Sequence, residues 1–429
     1  MILKSKKKIN FLTGSIFLVI ANAVAKLTIF IIGIVAARLL SQDSFGQFSM
    51  IRSTITAVGS LLAGTVGTTS TKNISENDGN KTKQIEYVYS VIVVNFIFTL
   101  MAIILFIIAS NYQNNDFLEM LVSDNIIVVI SSGLLFFTNA SILLQGVLIG
   151  LEKYKQLLSI SFIVAILILP IGYIFISWWG FDGALVTFFL YYLFDSFFKI
   201  KVTFSVLNNS RVIIVLSQVM QVITGILRSN ILLLLVTVIV TFSFWYSRVL
   251  VIKHTGDFEK IAIYDAAFQW LSIIMLVTTA STSVALAKMA KPNANKINIL
   301  KNSTISNLLV SIPVSFVFIF FSEHIMSLYG SDYVDGAKTL SILSVASNFF
   351  SLSTIFNRYV LASSNIRAIL IVTVISSSVM FVTLYFFIEL ADLGLAYSTL
   401  SFYSTSTFLY ICYLFFESIN KNDNSIKVN

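Results

Sequence analysis

The chain has 429 residues, 57% hydrophobic and 11% charged, with a formal charge of +8. This balance excludes a soluble globular domain, and the apolar residues fall in runs rather than in a mixed core pattern. Cys412 is the only cysteine, which excludes a disulfide framework, and His254 and His324, the only histidines, both fall in expected outer loops, so neither a metal cluster nor a thiol–histidine pair is expected.

A helix needs about 20 apolar residues to cross a bilayer, and such runs follow one another along the whole chain. Lys4, Lys6, Lys7 and Lys8 precede the first, Phe11 to Val35. Ala23-Val24-Ala25 imitates a secretory cleavage site, but the run continues past it, so it reads as a retained first span. The next are Phe45 to Thr69, Tyr87 to Ala109, Ile126 to Ile149, Leu157 to Ile176 and Ala184 to Phe198. After residues 199–221, basic and then amphipathic, come Val222 to Tyr246, Ala262 to Ala287, Thr304 to Phe321, Leu340 to Leu361, Ile369 to Phe387 and Leu393 to Phe416. The expected fold is an all-α polytopic membrane protein of about twelve helices in two six-helix bundles. The division is residues 1–198, a linker at 199–221, residues 222–416 and a tail at 417–429.

Alternate loops differ in charge. Lys72, Lys81, Lys83, Lys153, Lys155, Lys199, Lys201, Arg211, Lys288, Lys291, Lys296, Lys301 and Arg367 follow even-numbered spans. The intervening stretches Asn111 to Asn125, Trp178 to Gly183 and Glu389 to Leu393 carry acids and no lysine or arginine. The basic side is expected to be cytoplasmic, with both termini on it. The net charge is mostly this bias, so nucleic acid is not an expected partner.

Polar residues recur at helical spacing inside the spans. Ser15, Asn22, Lys26 and Gly33 share one side of the first span, and Arg52, Thr56 and Ser60 one side of the second. The eighth carries Asp265, Gln269, Ser272, Thr279 and Ser283; the tenth carries Ser344, Ser347, Ser351, Thr354 and Arg358. A Lys or Arg at mid-helix costs about 2.5–3.5 kcal/mol to insert, so Lys26 needs an anion, a water-filled path or a buried partner. Arg52 and Arg228 lie nearer helix ends, where a long side chain also reaches the interface. Arg248 and Asp265 border one loop and read as a surface ion pair or as solvated helix ends before any functional role. Lys26, Arg52 and Arg228 make the deep charges more cationic than anionic, which suits a phosphate-bearing cargo. Serine and threonine stripes serve helix packing as readily as binding. Asp195 and Asp265 are the acids within or bordering spans that could titrate.

No glycine-rich phosphate loop is present; Gly336-Ala337-Lys338-Thr339 has the wrong spacing. Nothing in the sequence calls for a cofactor or a metal, and the acidic loops are short for an enzyme with a folded catalytic region outside the membrane.

Ala37-Arg38-Leu39-Leu40, then Phe45-Gly46-Gln47-Phe48 and Arg52, resemble the start of the polysaccharide-exporter branch of the multidrug/oligosaccharidyl-lipid/polysaccharide (MOP) superfamily, Wzx-type O-antigen flippases in particular. Gln145-Gly146 with Gly150 and Glu152, and Asp265-Ala266-Ala267 with Gln269-Trp270, add to the resemblance. It implies two bundles related by a parallel pseudo-two-fold repeat, a V-shaped pair opening alternately inward and outward in a bacterial inner membrane. The implied cargo is an undecaprenyl-pyrophosphate-linked glycan, its phosphates near Lys26, Arg52 and Arg228. Asn22, Arg248, Asp265, Gln269 and Arg358 would line or gate the path, with membrane lipids around the cargo's tail. A polysaccharide polymerase and a chain-length regulator are the candidate protein partners. Relatives carry prolines around the seventh and eighth helices, whereas this chain has only Pro170, Pro292 and Pro313, so hinge positions do not carry over. The alternatives are a cation-coupled drug or metabolite antiporter of the same superfamily and a membrane polymerase or ligase of the same glycans.

Overall fold

The computed structural model describes residues 11–61, 65–76, 81–110, 125–207, 216–289 and 295–426. The side chains of Ser15 and Arg228, both singled out above, lie outside the described residues, as does most of the Asn111 to Asn125 loop. Helices account for nearly everything described, and no strand occurs among the described residues. This follows from the solvent: in hydrocarbon every backbone N–H and C=O must be satisfied within the segment, which a helix does alone.

In chain order the helices are α1 (Phe11–Leu39), α2 (Gln42–Gly59), α3 (Thr65–Glu76), α4 (Lys81–Ser110), α5 (Asn125–Gly150), α6 (Tyr154–Leu207) and α7 (Leu216–Thr255). There follow α8 (Glu259–Met289), α9 (Lys296–Phe320), the short α10 (Ser322–Met326), α11 (Ala337–Ala362), α12 (Ile366–Phe387) and α13 (Asp392–Ile426). Nine of the described helices are long and apolar enough to cross a membrane, counting the 54-residue α6 once. The chain is a multi-pass membrane protein. Its expected second span is α2 followed by α3, and its fifth and sixth are the two arms of α6.

Two expected loops are tight turns instead. Trp178 to Gly183 contains no loop: α6 reverses at Gly180, whose φ of 54° and ψ of −123° lie outside the helical region. Three residues on, Gly183 packs so closely on the Phe175 carbonyl that a Cβ there would lie 2.0 Å from the oxygen. In the second half Ala391 has nearly the same dihedrals, φ 50° and ψ −105°, and three residues later a Cβ on Gly394 would lie 2.2 Å from the Phe387 carbonyl oxygen. One turn thus joins the fifth span to the sixth and, again, the eleventh to the twelfth. Lys199 and Lys201, expected to open a linker, lie on α6, which stays helical to Leu207.

The chain divides into two compact units, Met1–Leu39 with Ile51–Ile231, and Leu40–Met50 with Leu232–Asn429. In the first, Val66 and Ile74 of α3, Val88, Val91 and Val94 of α4, and Leu143 and Val147 of α5 form one buried cluster. In the second, Ala285 and Met289 of α8, Ile355, Tyr359 and Val360 of α11, Ile369 and Val372 of α12, and Tyr410 of α13 form another. Lipid tails are as apolar as these side chains, so close packing and not water exclusion holds such clusters together. Gly146 illustrates the requirement, since a Cβ there would lie 2.5 Å from the Gly67 carbonyl oxygen. That approach lets Thr71 donate to the Gly146 carbonyl at 2.8 Å.

The start of α2 packs with the second unit. Asp43 Oδ1 accepts from the Phe258 N–H at 2.9 Å, supplying an acceptor to the exposed donors that begin α8, while Asp257 accepts from the Glu259 N–H at 3.1 Å. Gln42 donates to the Asp332 carbonyl at 2.8 Å. Phe45, fully buried, meets the edge of Tyr333, and Gly46 lies so close to Phe258 that a Cβ would sit 2.0 Å from its carbonyl oxygen.

Candidate functional site: polar and charged groups inside the helical bundles

On α1 the spacing separates three sides. Ile16, Ile20, Leu27 and Ile31 are exposed along one, Ala21, Thr28, Ile32 and Ala36 are buried along another, and Asn22 and Lys26 lie between them. Gln145 of α5 donates to the Asn22 side chain at 2.8 Å. That bond fixes the polar side of α1 against α5. Lys26, one turn further on, is exposed and has no hydrogen-bond or ion-pair partner among the described residues. The sequence-predicted pair Asn22 and Lys26 is therefore brought together, with Gln145 as its positioning residue. Arg52 of α2 is half-buried and within electrostatic reach of the buried Tyr192 on α6. Both cations belong to the first unit.

Deeper in that unit lies a cluster that the sequence reading divided between two roles. Asp195 and Lys199, one turn apart on α6, are each 6% exposed. The Lys199 Nζ lies 2.5 Å from Asp195 Oδ2, and Ser141 of α5 donates to the same carboxylate oxygen. Lys199 also reaches the Ser141 hydroxyl at 3.1 Å and its carbonyl at 3.4 Å. The sequence places Lys199 at the start of a cytoplasmic linker; in the structure it is a buried counter-charge to Asp195. The signal was legible as Asp-x-x-x-Lys, the spacing that puts two side chains on one helix face.

In the second unit Arg248 of α7 and Asp265 of α8 form a buried ion pair, with Nη2 and Nε at 3.0 and 3.1 Å from Asp265 Oδ1. Arg248 Nη1 donates to the Phe244 carbonyl at 2.7 Å, and its guanidinium lies 5.0 Å from the Tyr264 ring and 5.5 Å from that of Phe268. Tyr264 in turn hydrogen-bonds Thr399 of α13 at 2.8 Å. The reading as a solvated surface pair is corrected: both side chains are buried, which requires this dense set of acceptors and ring faces around the charge. Gln269, one turn beyond Asp265, is 7% exposed and neither of its amide atoms has a partner among the described residues. Arg358, near the end of α11, is half-buried, and its Nε has no partner among the described residues.

The hydroxyl stripes resolve towards packing. Thr56 donates to the Arg52 carbonyl, Ser272 to Gln269, Thr279 to Met275, Ser283 to Thr279 and Ser344 to Leu340, all within their own helices. Ser344, Ser347 and Ser351 are buried inside the second unit, where Ser347 lies 3.3 Å from Ser315 of α9 and Ser351 2.9 Å from Thr278 of α8. A hydroxyl satisfied by the preceding turn needs no water and no ligand.

Three comparisons bear on identity. A family model described as "Polysaccharide biosynthesis protein" matches residues 11–287. No functionally curated protein matches the sequence. Among solved structures, a multidrug resistance MATE family transporter of the MOP superfamily, in its inward-facing conformation, is similar over 94% of this chain and 97% of its own, with a TM-score of 0.71 at 15% identity. A eukaryotic MATE transporter covers 94% and 95%, with a TM-score of 0.70 at 13% identity. A MOP superfamily transporter from Pyrococcus furiosus, whose binding pocket is described as reversed in polarity, covers 95% and 94%, with a TM-score of 0.66 at 17% identity. At these identities the likeness establishes the fold: two six-helix bundles of the MATE type.

Proposed function

Since the chain belongs to the polysaccharide biosynthesis protein family of MOP-superfamily transporters, we propose that it flips an undecaprenyl-pyrophosphate-linked oligosaccharide from the cytoplasmic to the outer face of a bacterial inner membrane. The observation that carries this reading is the family match over residues 11–287, which spans all three candidate cations, Lys26, Arg52 and Arg228.

Their placement supports an anionic cargo. An exposed ammonium on a membrane helix, without a partner and beside an amide pair that fixes its helix, is costly unless an anion or water meets it. A pyrophosphate supplies that anion, and Arg52 supplies a second cation in the same unit. Cargo sugars then meet amide groups such as Asn22 and Gln145, and the polyprenyl tail stays in lipid. Alternating access carries the headgroup across; Arg228 is proposed as the third cation meeting the phosphates, and Arg248, Asp265, Gln269 and Arg358 are proposed to line or gate that path. A polymerase and a chain-length regulator would act on the flipped product.

Single Lys26→Ala and Arg52→Ala variants are expected to lower flipping by about tenfold or more at normal protein levels, on the scale of one lost charge-assisted contact. Wild-type rates in both would remove the cationic clamp. The MATE-type fold supports a second reading, a drug antiporter, which a drug-efflux assay in the same cells separates from glycan flipping.

A further inference from the structure

Among the described residues three carboxylates are buried: Asp195, Asp265 and Asp392. Asp392 begins α13, in the turn outside the spans, and accepts from Thr339 at 2.5 Å; burial raises its pKa, against the Thr339 hydrogen bond and the charge of Lys260. The other two lie inside spans, one in each unit, and each faces a cation belonging to the chain. We propose that Lys199 and Arg248 are resident counter-ions that occupy the places a coupling ion would take, so that transport by this chain needs neither sodium nor a proton gradient. The inference rests on the transport reading above and adds its energetics.

The argument is clearest at Asp195. A carboxylate that couples transport to an ion must be alternately loaded and empty. Here the loading cation is tethered one helical turn away on the same helix, so movement of one bundle against another cannot separate the pair. Its Nζ lies among three oxygens, Asp195 Oδ2 at 2.5 Å, Ser141 Oγ at 3.1 Å and the Ser141 carbonyl at 3.4 Å. That is an oxygen shell of the kind a monovalent cation would occupy, already filled. A proton arriving at Asp195 would strand a buried ammonium, and sodium would have to displace it, both unfavourable in a low-dielectric interior.

Among the described residues no other ionisable group near Asp195 offers a substitute. On α6 its neighbours are Lys199, Tyr191 and Tyr192; α5 presents Ser141 and has no ionisable residue; α1 carries Lys26 and, in its last turn, Arg38, and Arg52 lies beyond Tyr192. Around Asp265 the corresponding groups are Arg248 on α7, Tyr264 on α8 and Tyr403 on α13. α9 has no ionisable residue between 302 and 320, and α11 carries Lys338, Arg358 and Tyr359 towards its ends.

The test uses the full-length protein in proteoliposomes with an undecaprenyl-linked glycan as cargo. Wild-type flipping is expected to change less than about twofold when choline replaces sodium and when the pH gradient is collapsed, as for a process without an ion-binding step. The Lys199→Met variant, which leaves Asp195 unpaired, is expected to become roughly tenfold or more faster with sodium or at low pH, and the Asp195→Asn/Lys199→Met variant to lose that dependence. Binding of radioactive sodium to purified protein gives a second readout that needs no transport: absent in wild type, present in Lys199→Met. Wild-type flipping that requires sodium or a proton gradient, or sodium binding to wild type that Asp195→Asn abolishes, overturns the proposal. Absence of flipping under every ionic condition would instead fail the transport reading itself, while the sodium-binding result still decides this one.

Discussion

At the scale of single residues the buried ion pairs set the largest energies. Removing one partner of a buried pair leaves the other charge uncompensated, at about 3–5 kcal/mol, whereas replacing both by apolar groups is often neutral. Arg248→Ala is therefore expected to lower the melting temperature in detergent markedly, and Arg248→Met/Asp265→Leu to recover most of the loss; equal melting of the single variant and wild type would show that the pair is solvated after all. Gln269 behaves oppositely. Its amide has no partner among the described residues, so Gln269→Leu should leave stability unchanged or raise it by about 1 kcal/mol, the desolvation cost it no longer carries. A loss of transport in that stable variant would assign Gln269 to the cargo path. A loss of stability would instead reveal a partner for the amide.

Elements are joined by a few close backbone contacts, and these explain motifs that the sequence offered without a reason. Phe45-Gly46-Gln47-Phe48 marks family resemblance, but its structural content is the docking of α2 on the α7–α8 turn, where Gly46 meets Phe258 and Asp43 accepts from its N–H. Asp43→Ala should cost about 1 kcal/mol, the usual worth of a side chain that satisfies donors at a helix start. Gly46→Leu should cost several-fold more, because its Cβ would have to displace a carbonyl. Thermal melting of the two variants in parallel checks this ordering, and equal effects would contradict it. Ala391 is the other such position. It adopts dihedrals matched by Gly180 in the first half, so Ala391→Gly should stabilise the chain by about 1 kcal/mol, since a Cβ is strained there. A lower melting temperature for Ala391→Gly would mean the turn is not strained.

Across the whole molecule, the spans were legible because hydrocarbon imposes length and apolarity on every helix, and the division into two sets of six was legible from the basic, then amphipathic stretch between them. Turn geometry was not: Trp178 to Gly183 reads as a loop until Gly180 and Gly183 are seen to reverse α6 within a few residues. Nor was burial. Lys199 ends an apolar run followed by Lys201, which imitates a cytoplasmic boundary, and only the helix continuing to Leu207 puts it inside. Arg248 and Asp265 flank a turn in sequence, which suggests solvent, yet Phe244, Tyr264 and Phe268 enclose them. The candidate site was legible in part. Lys26 and Asn22 were read from helical spacing, while their fixing by Gln145 needs a contact between α1 and α5 that no local pattern encodes.

The central claim, that the chain moves a lipid-linked glycan across the membrane, is tested most directly in a strain lacking it. The undecaprenyl-linked repeat unit is probed there with a membrane-impermeant glycosidase, before and after the gene is restored. The account predicts that the cargo accumulates on the cytoplasmic face, protected from the enzyme, and becomes accessible on restoration. Cargo already exposed on the outer face of the deletion strain would contradict it.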